Sequence, residues 1–139
     1  MVVIDASLAF KWFEIEQEEF IEKAIKILQD HLLGKNIIVV PDLILYELSN
    51  SWSTKSRLTA KEIKIYLKDL EKYQLKLEPV NLDILNQTVD FSKKYDISVY
   101  DALYIALAKQ KKCKLITSDQ KLASKVNLSF VKLLEDYKI

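Results

Sequence analysis

Glycine is almost missing from this chain: Gly34 is the only one in 139 residues. That excludes a phosphate-cradling P-loop, a dinucleotide fingerprint and a nucleophile elbow, each of which needs several glycines to bring backbone close to a ligand or through a sharp turn. Cys113 is the only cysteine and His31 the only histidine. An intramolecular disulfide is therefore impossible and a Cys/His zinc site is excluded. Ser-His-Asp and Cys-His triads would need a coincidence. Long apolar runs are also lacking: none is long enough to cross a bilayer, and no signal peptide is visible, so a soluble cytoplasmic protein is expected. An excess of positive charge is missing too. Twenty acids stand against 21 bases, for a net charge of +1. The chain is not a basic nucleic-acid binder by composition, and any nucleic-acid contact must come from local patches.

What the chain has is a hydrophobic half, 50% of its residues, enough for the core of one domain over 1–139. Strand and helix signals alternate. Val2–Ile4 reads as a strand ending at Asp5, and Ser7 as the cap of a short helix through Phe13. Glu18 to Leu33 has helical period, with Ile21, Ala24, Ile25, Leu28 and Leu32 on one face and Gly34 as the stop. Ile37–Val40 is a second strand, followed by a helix over roughly Leu43–Lys55 with Asp42 as cap. Thr59–Glu62 fits a capping box opening a helix to about Tyr73. A short strand within Leu75–Val80, a helix from Asn81 to about Lys94, the helix in "ISVYDALYIALAK", a strand over Lys114–Thr117, a short helix and a last strand near Ser129–Val131 complete the order. This alternation predicts a single α/β domain whose central parallel sheet is flanked by helices.

With His, Cys and glycine loops set aside, carboxylates are what remain for chemistry. In an open parallel sheet, ligands bind outside the carboxyl ends of the strands. Asp5 follows the first strand and Asp119 follows the "LIT" strand, so both belong to one rim. Asp101 stands in the first turn of an otherwise apolar helix, and Glu47 in the helix after the second strand. Two like charges ~4 Å apart repel by roughly 4 kcal/mol at an effective dielectric near 20. Four acids gathered at one rim therefore call for a cation or shared protons. All-oxygen ligation selects Mg²⁺ or Mn²⁺, an ion suited to phosphodiester hydrolysis.

Four segments, "VVIDASLAFKWF", "VPDLILYELSN", "VYDALYIALA" and "LITSDQKL", resemble the signature segments of PIN-domain ribonucleases, in the family's order and at its usual intervals. They are most similar to the VapC toxins of VapBC toxin–antitoxin pairs. The resemblance implies a PIN-like fold and a metal-dependent endoribonuclease that leaves 5′-phosphate and 3′-hydroxyl ends. It also implies a homodimer inhibited by a cognate VapB-type antitoxin. The family's acids map onto Asp5, Glu47, Asp101 and Asp119, as catalytic residues and ligands of Mg²⁺ or Mn²⁺. Its small hydroxyl residue maps onto Ser7, the Thr before its last acid onto Thr117, and the Asn three residues after its second acid onto Asn50. Lys11 and Lys121, close in sequence to Asp5 and Asp119, are candidates for phosphate contacts with an RNA substrate.

Plainer roles stand beside these. Asp101 also fits the third position of a capping box opened by Ser98. Asp5, Asp42 and Asp119 are all placed to cap helices, and Asn50 either orients Glu47 or faces solvent. His31 reads as a surface or partly buried helix residue and Cys113 as a small hydrophobe. Trp12, Phe13, Tyr46, Trp52, Tyr100 and Tyr104 read as core or dimer interface ahead of base-stacking platforms. At the level of function, a PIN nuclease that processes RNA outside a toxin pair, a Mg-binding receiver-like signalling module and a non-catalytic RNA-binding protein remain as alternatives.

Overall fold

The computed structural model describes residues 1–13 and 20–139. Five strands form one sheet: β1 (Val2–Ile4), β2 (Ile38–Pro41), β3 (Lys76–Glu78), β4 (Lys114–Thr117) and β5 (Val131–Leu133), in the order β3-β2-β1-β4-β5. Every pairing is parallel, with Val2 opposite both Ile38 and Lys114, Val39 opposite Lys76, and Leu115 opposite Val131. Parallel strands are covered on both faces, which is why β1 and β2 read as unbroken apolar runs and not as alternation; every residue of both is buried.

Seven α-helices among the described residues flank the sheet: α1 (Ala6–Ala9), α2 (Ile21–Leu32), α3 (Leu43–Thr54), α4 (Ala60–Lys72), α5 (Leu82–Tyr95), α6 (Val99–Gln110) and α7 (Gln120–Val126), with a 3₁₀ turn at Phe10–Phe13. None of them is long and apolar enough to cross a membrane. The most buried is α6, in which every residue from Ala102 to Ala108 is buried and which packs on β1, β2 and β4. Its alanines leave room for this close approach. Phe13, Trp52 and Tyr66 pack ring against ring, with centroids 4.9–5.3 Å apart, and tie the 3₁₀ turn to α3 and α4.

The expected caps hold at Thr59, whose box with Glu62 is complete, and at Asn81 and Ser98. Several expectations need correction. The cap of α1 is Asp5, whose side chain accepts from the Leu8 N–H; Ser7 lies inside the helix and turns its hydroxyl to other work. Asp42 precedes α3 but makes no side-chain capping bond, because its own backbone is already helical. The last strand begins two residues later than expected. The expected start at Glu18 lies outside the described residues. The buried face of α2 is Ala24, Ile27, Leu28 and His31, while Ile25 and Leu32 are exposed.

His31 explains that rotation. Its Nδ1 accepts from the Ile38 N–H at 3.0 Å, so its proton sits on Nε2, which donates to the carbonyls of Tyr73 and Gln74 at 2.9 and 3.2 Å. A polar ring can replace an aliphatic one on the core face because both nitrogens are satisfied. Gly34, at φ +68°, then ends the helix in the left-handed conformation that favours glycine.

Candidate active site

The strand order determines where a site can form. The chain runs outward from β1 through β2 to β3, then crosses back to β4 and β5. The crevice at this reversal opens at the carboxyl ends of β1 and β4, and the residues just past those ends are Asp5 and Asp119. A helix leaving a parallel strand starts at the carboxyl rim, and a helix leading into the next strand must also start there to return to the amino edge. The first case is α3, which follows β2 and carries Glu47. The second is α6, which leads into β4 and carries Asp101 in its first turn. Topology thus brings four acids from four segments to one rim.

Asp5 is the most enclosed of them, 6% exposed. Its Oδ1 accepts from Ser7 Oγ at 2.6 Å and from the Leu8 N–H at 3.1 Å, and its Oδ2 from Thr117 Oγ1 at 2.5 Å. The two hydroxyls in turn accept from the chain beyond β4: Ser7 Oγ from the Ser118 N–H at 2.9 Å, and Thr117 Oγ1 from the Asp119 N–H at 2.9 Å. Each hydroxyl has one proton, and both give it to Asp5. This is a donor set for an ionised carboxylate, and it stitches the ends of β1 and β4 together. Burial works against it. It pushes the Asp5 carboxyl up to about 6, the three hydrogen bonds partly offset the rise, and the charge of Asp101 adds to it.

The other acids are less enclosed. Asp119 Oδ1 accepts from the Leu122 N–H at 3.0 Å, capping α7. Burial raises the Asp101 carboxyl, the Ser98 hydroxyl offsets this, and the charge of Asp119 raises it further. Burial also raises Glu47, which is held by Tyr104 Oη at 2.5 Å from its Oε1 and feels the charge of Asp101. Asp101 is therefore electrostatically coupled to each of the other three. The Tyr104 phenol, buried and beside these carboxylates, has its ionisation pushed far up and remains a donor.

A PIN-domain family model matches residues 2–127. The chain is 32% identical over 130 residues to a protein of Pyrobaculum aerophilum named Ribonuclease VapC3, an alignment covering 89% of this chain and 93% of that one. The chain belongs to the PIN-domain family. Solved structures with the same fold include a toxin–antitoxin complex from Klebsiella pneumoniae, with TM-score 0.70, 15% identity and all of both chains covered. Another is Mycobacterium tuberculosis VapC20, described as a sarcin-ricin loop cleaving toxin, with TM-score 0.67, 13% identity, and 89% of this chain and 94% of that one covered. Membership sets aside the receiver-like reading.

Within this PIN domain, Ser7 and Thr117 lie on Asp5 as described. The Asn50 side chain is exposed, and among the described residues it makes no hydrogen bond to Glu47; the group that holds Glu47 is Tyr104. Sequence reading placed Tyr104 in the core or an interface. The available signal was its spacing, three residues after Asp101 and so on the same side of α6. Lys11 lies half-buried in the 3₁₀ turn, and Lys121 is exposed in the first turn of α7. Ser118, another residue that sequence reading passed over, has its Oγ buried without a hydrogen-bond partner among the described residues.

The donor chemistry fits a hard divalent cation. Asp5 Oδ2 accepts one bond and has a lone pair in reserve, and Asp119 caps α7 through Oδ1 alone. All the candidate ligands are oxygens. The ion pairs found among the described residues lie elsewhere, at Lys26–Asp30, Lys72–Asp69, Lys111–Glu78 and Lys125–Asp96. As the side chains lie, no three acidic, His or Cys groups among the described residues converge tightly enough to share one ion.

Proposed function

We propose that this chain is a metal-dependent endoribonuclease that hydrolyses RNA phosphodiester bonds and acts as the toxin of a type II toxin–antitoxin pair. The observation that carries this reading is the placing of Asp5 and Asp119 just past the ends of β1 and β4, with Glu47 and Asp101 on helices that start at the same rim, in a PIN domain 32% identical to a protein named as a ribonuclease. Asp5, Asp101 and Asp119 would hold Mg²⁺ or Mn²⁺, with Glu47 completing the shell. When bound, the ion supplies Lewis-acid activation of water and offsets charge on the phosphodiester.

The protein's own groups do the rest. Ser7, Thr117 and the Leu8 N–H keep Asp5 ionised and oriented, as outer partners do for metal-ligating carboxylates. The Tyr104 phenol holds Glu47 through its Oε1 and partly offsets the rise that burial imposes on its carboxyl, leaving the second oxygen for a metal or water. The substrate of this reading is single-stranded or looped RNA, whose splayed bases leave the backbone free to be laid across the rim.

Two partners complete the proposal. The toxin–antitoxin neighbour supports a VapB-type antitoxin, and a segment carrying a basic residue would complement the acids. The exposed Leu82 and Val89 on α5 suit the contact of a homodimer. The test is incubation of the purified chain with structured RNA in Mg²⁺, Mn²⁺ or EDTA, with Asp101→Asn in parallel. Discrete cleavage is expected with metal alone, lost in EDTA and in a folded Asp101→Asn. Cleavage that survives either change contradicts the mechanism.

A further inference from the structure

The chain has fourteen aromatic residues, and all of them are described. Twelve are in the core or packed against it. The two left over are Tyr46 and Tyr100, 72% and 60% exposed, and neither ring packs on another aromatic ring. Each immediately precedes an acid of the rim: Tyr46 stands before Glu47 on α3, and Tyr100 before Asp101 on α6. Both lie near the starts of helices that begin at the carboxyl rim, and the Tyr104–Glu47 hydrogen bond ties these two helices together. Every other aromatic ring lies in the core or packs against it, and the two left in water each adjoin an acid of the rim in the sequence.

We infer that Tyr46 and Tyr100 are stacking platforms for nucleobases of a single-stranded RNA whose phosphodiester lies over the acids; this rests on the ribonuclease reading above. The chemistry matches what the chain otherwise lacks. A rim of four carboxylates repels phosphate, and a net charge of +1 supplies little general attraction to RNA. Base–aromatic stacking does not depend on charge and tolerates every base, because each has a π face. A phenol ring also loses little conformational freedom when it stacks, having two side-chain torsions. Rings beside two different acids would grip the strand at two points and hold the bond between them in place, which is what converts weak binding into a positioned substrate. A second copy of the chain docked over the same two rings by two-fold symmetry would bring its four acids against these four, an arrangement that like-charge repulsion opposes. The exposed side chains of α5 offer that copy a less acidic surface.

The test is steady-state cleavage of short single-stranded RNA of random sequence, with the full chain in Mn²⁺. Tyr46→Ala, Tyr100→Ala, Tyr46→Phe and Tyr100→Phe are compared with the parent, and product ends are sequenced. Each alanine variant is expected to raise KM about tenfold with little change in kcat, at cut sites of every sequence. The phenylalanine variants keep a stacking face and should remain within about twofold of the parent. Sedimentation equilibrium is run on the same samples. Alanine variants with the parent's KM overturn the inference while leaving the ribonuclease reading intact. So do alanine variants that turn a parental dimer into monomers, because the rings would then belong to a subunit interface. A parent chain that cleaves no RNA in either Mg²⁺ or Mn²⁺ overturns the ribonuclease reading and this inference together.

Discussion

Replacing Asp5 by asparagine should make the metal-free protein more stable at neutral pH while destroying its site. Asp5 is 6% exposed and its carboxyl is raised from 3.8 to about 6. A group whose folded pKa is raised holds its proton more tightly in the folded state. Its favourable contribution is therefore present in full below pH 3.8 and is lost as pH rises through about 6. A rise of about two units corresponds to roughly 2–3 kcal/mol. Asparagine has nearly the same shape and no charge. Its oxygen can keep the bonds from Ser7 and Leu8, and its amide can donate to Thr117 Oγ1, whose own proton can turn to Ser7 Oγ, 3.3 Å away. The assay is urea unfolding of both chains in EDTA from pH 4 to 8, comparing midpoints at equal slope. Groups common to both chains cancel to first order in the difference. Asp5→Asn is expected to match the parent or fall slightly below it near pH 4, and to exceed it by about 1–3 kcal/mol at pH 7.5. A variant less stable than the parent by the same amount at both pH values would refute this reasoning, since Asp5 would then be a structural carboxylate at no electrostatic disadvantage.

Other predictions follow from the same network. Tyr104→Phe removes the bond to Glu47 and should cost about 1–2 kcal/mol. It should also raise the Glu47 pKa further, moving the acidic limb of the cleavage–pH profile upward; an unmoved limb argues that Glu47 takes no part in the reaction. Ser7→Ala and Ser118→Ala change neighbouring hydroxyls in opposite senses. The first leaves the half-buried Ser118 N–H without its acceptor and should destabilise by about 1–3 kcal/mol, whereas the second removes a buried hydroxyl that has no partner among the described residues and should be neutral or stabilising by about 1 kcal/mol. Thermal melts of the two variants side by side decide it.

How much of this was readable beforehand depended on the kind of signal involved. Asp5 and Asp119 were legible because each directly follows an apolar run of strand length, and the rule that parallel sheets bind at their carboxyl ends places such residues together without a structure. Asp101 was conspicuous as the only acid in an otherwise apolar helix. Tyr104 was not, since a tyrosine in that helix looks like core, and its hydroxyl matters only once α3 is packed alongside. Ser7 carried two readings, a cap, as a hydroxyl near a helix start usually is, and a support for the acids; it takes a tertiary contact with the chain beyond β4 to show that its proton goes to Asp5. The face of α2 was drawn from hydrophobicity alone, which places Ile25 and Leu32 inward and has no way to favour His31. Its buried position depends on a strand N–H and two carbonyls from residues far along the chain. The exposure of Tyr46 and Tyr100 was likewise invisible in composition, because most aromatics are core.

The central claim is that four acids from four segments form one metal site, and direct metal binding tests it most closely. Mn²⁺ would be titrated into the chain with the free ion followed by electron paramagnetic resonance, for the parent and for Asp5→Asn, Glu47→Gln, Asp101→Asn and Asp119→Asn. The account predicts saturable binding by the parent, with a proton released near pH 6 as Asp5 ionises, and affinity weakened at least about tenfold in the aspartate variants. Binding that is absent in the folded parent, or unchanged when Asp101 is replaced, would contradict it.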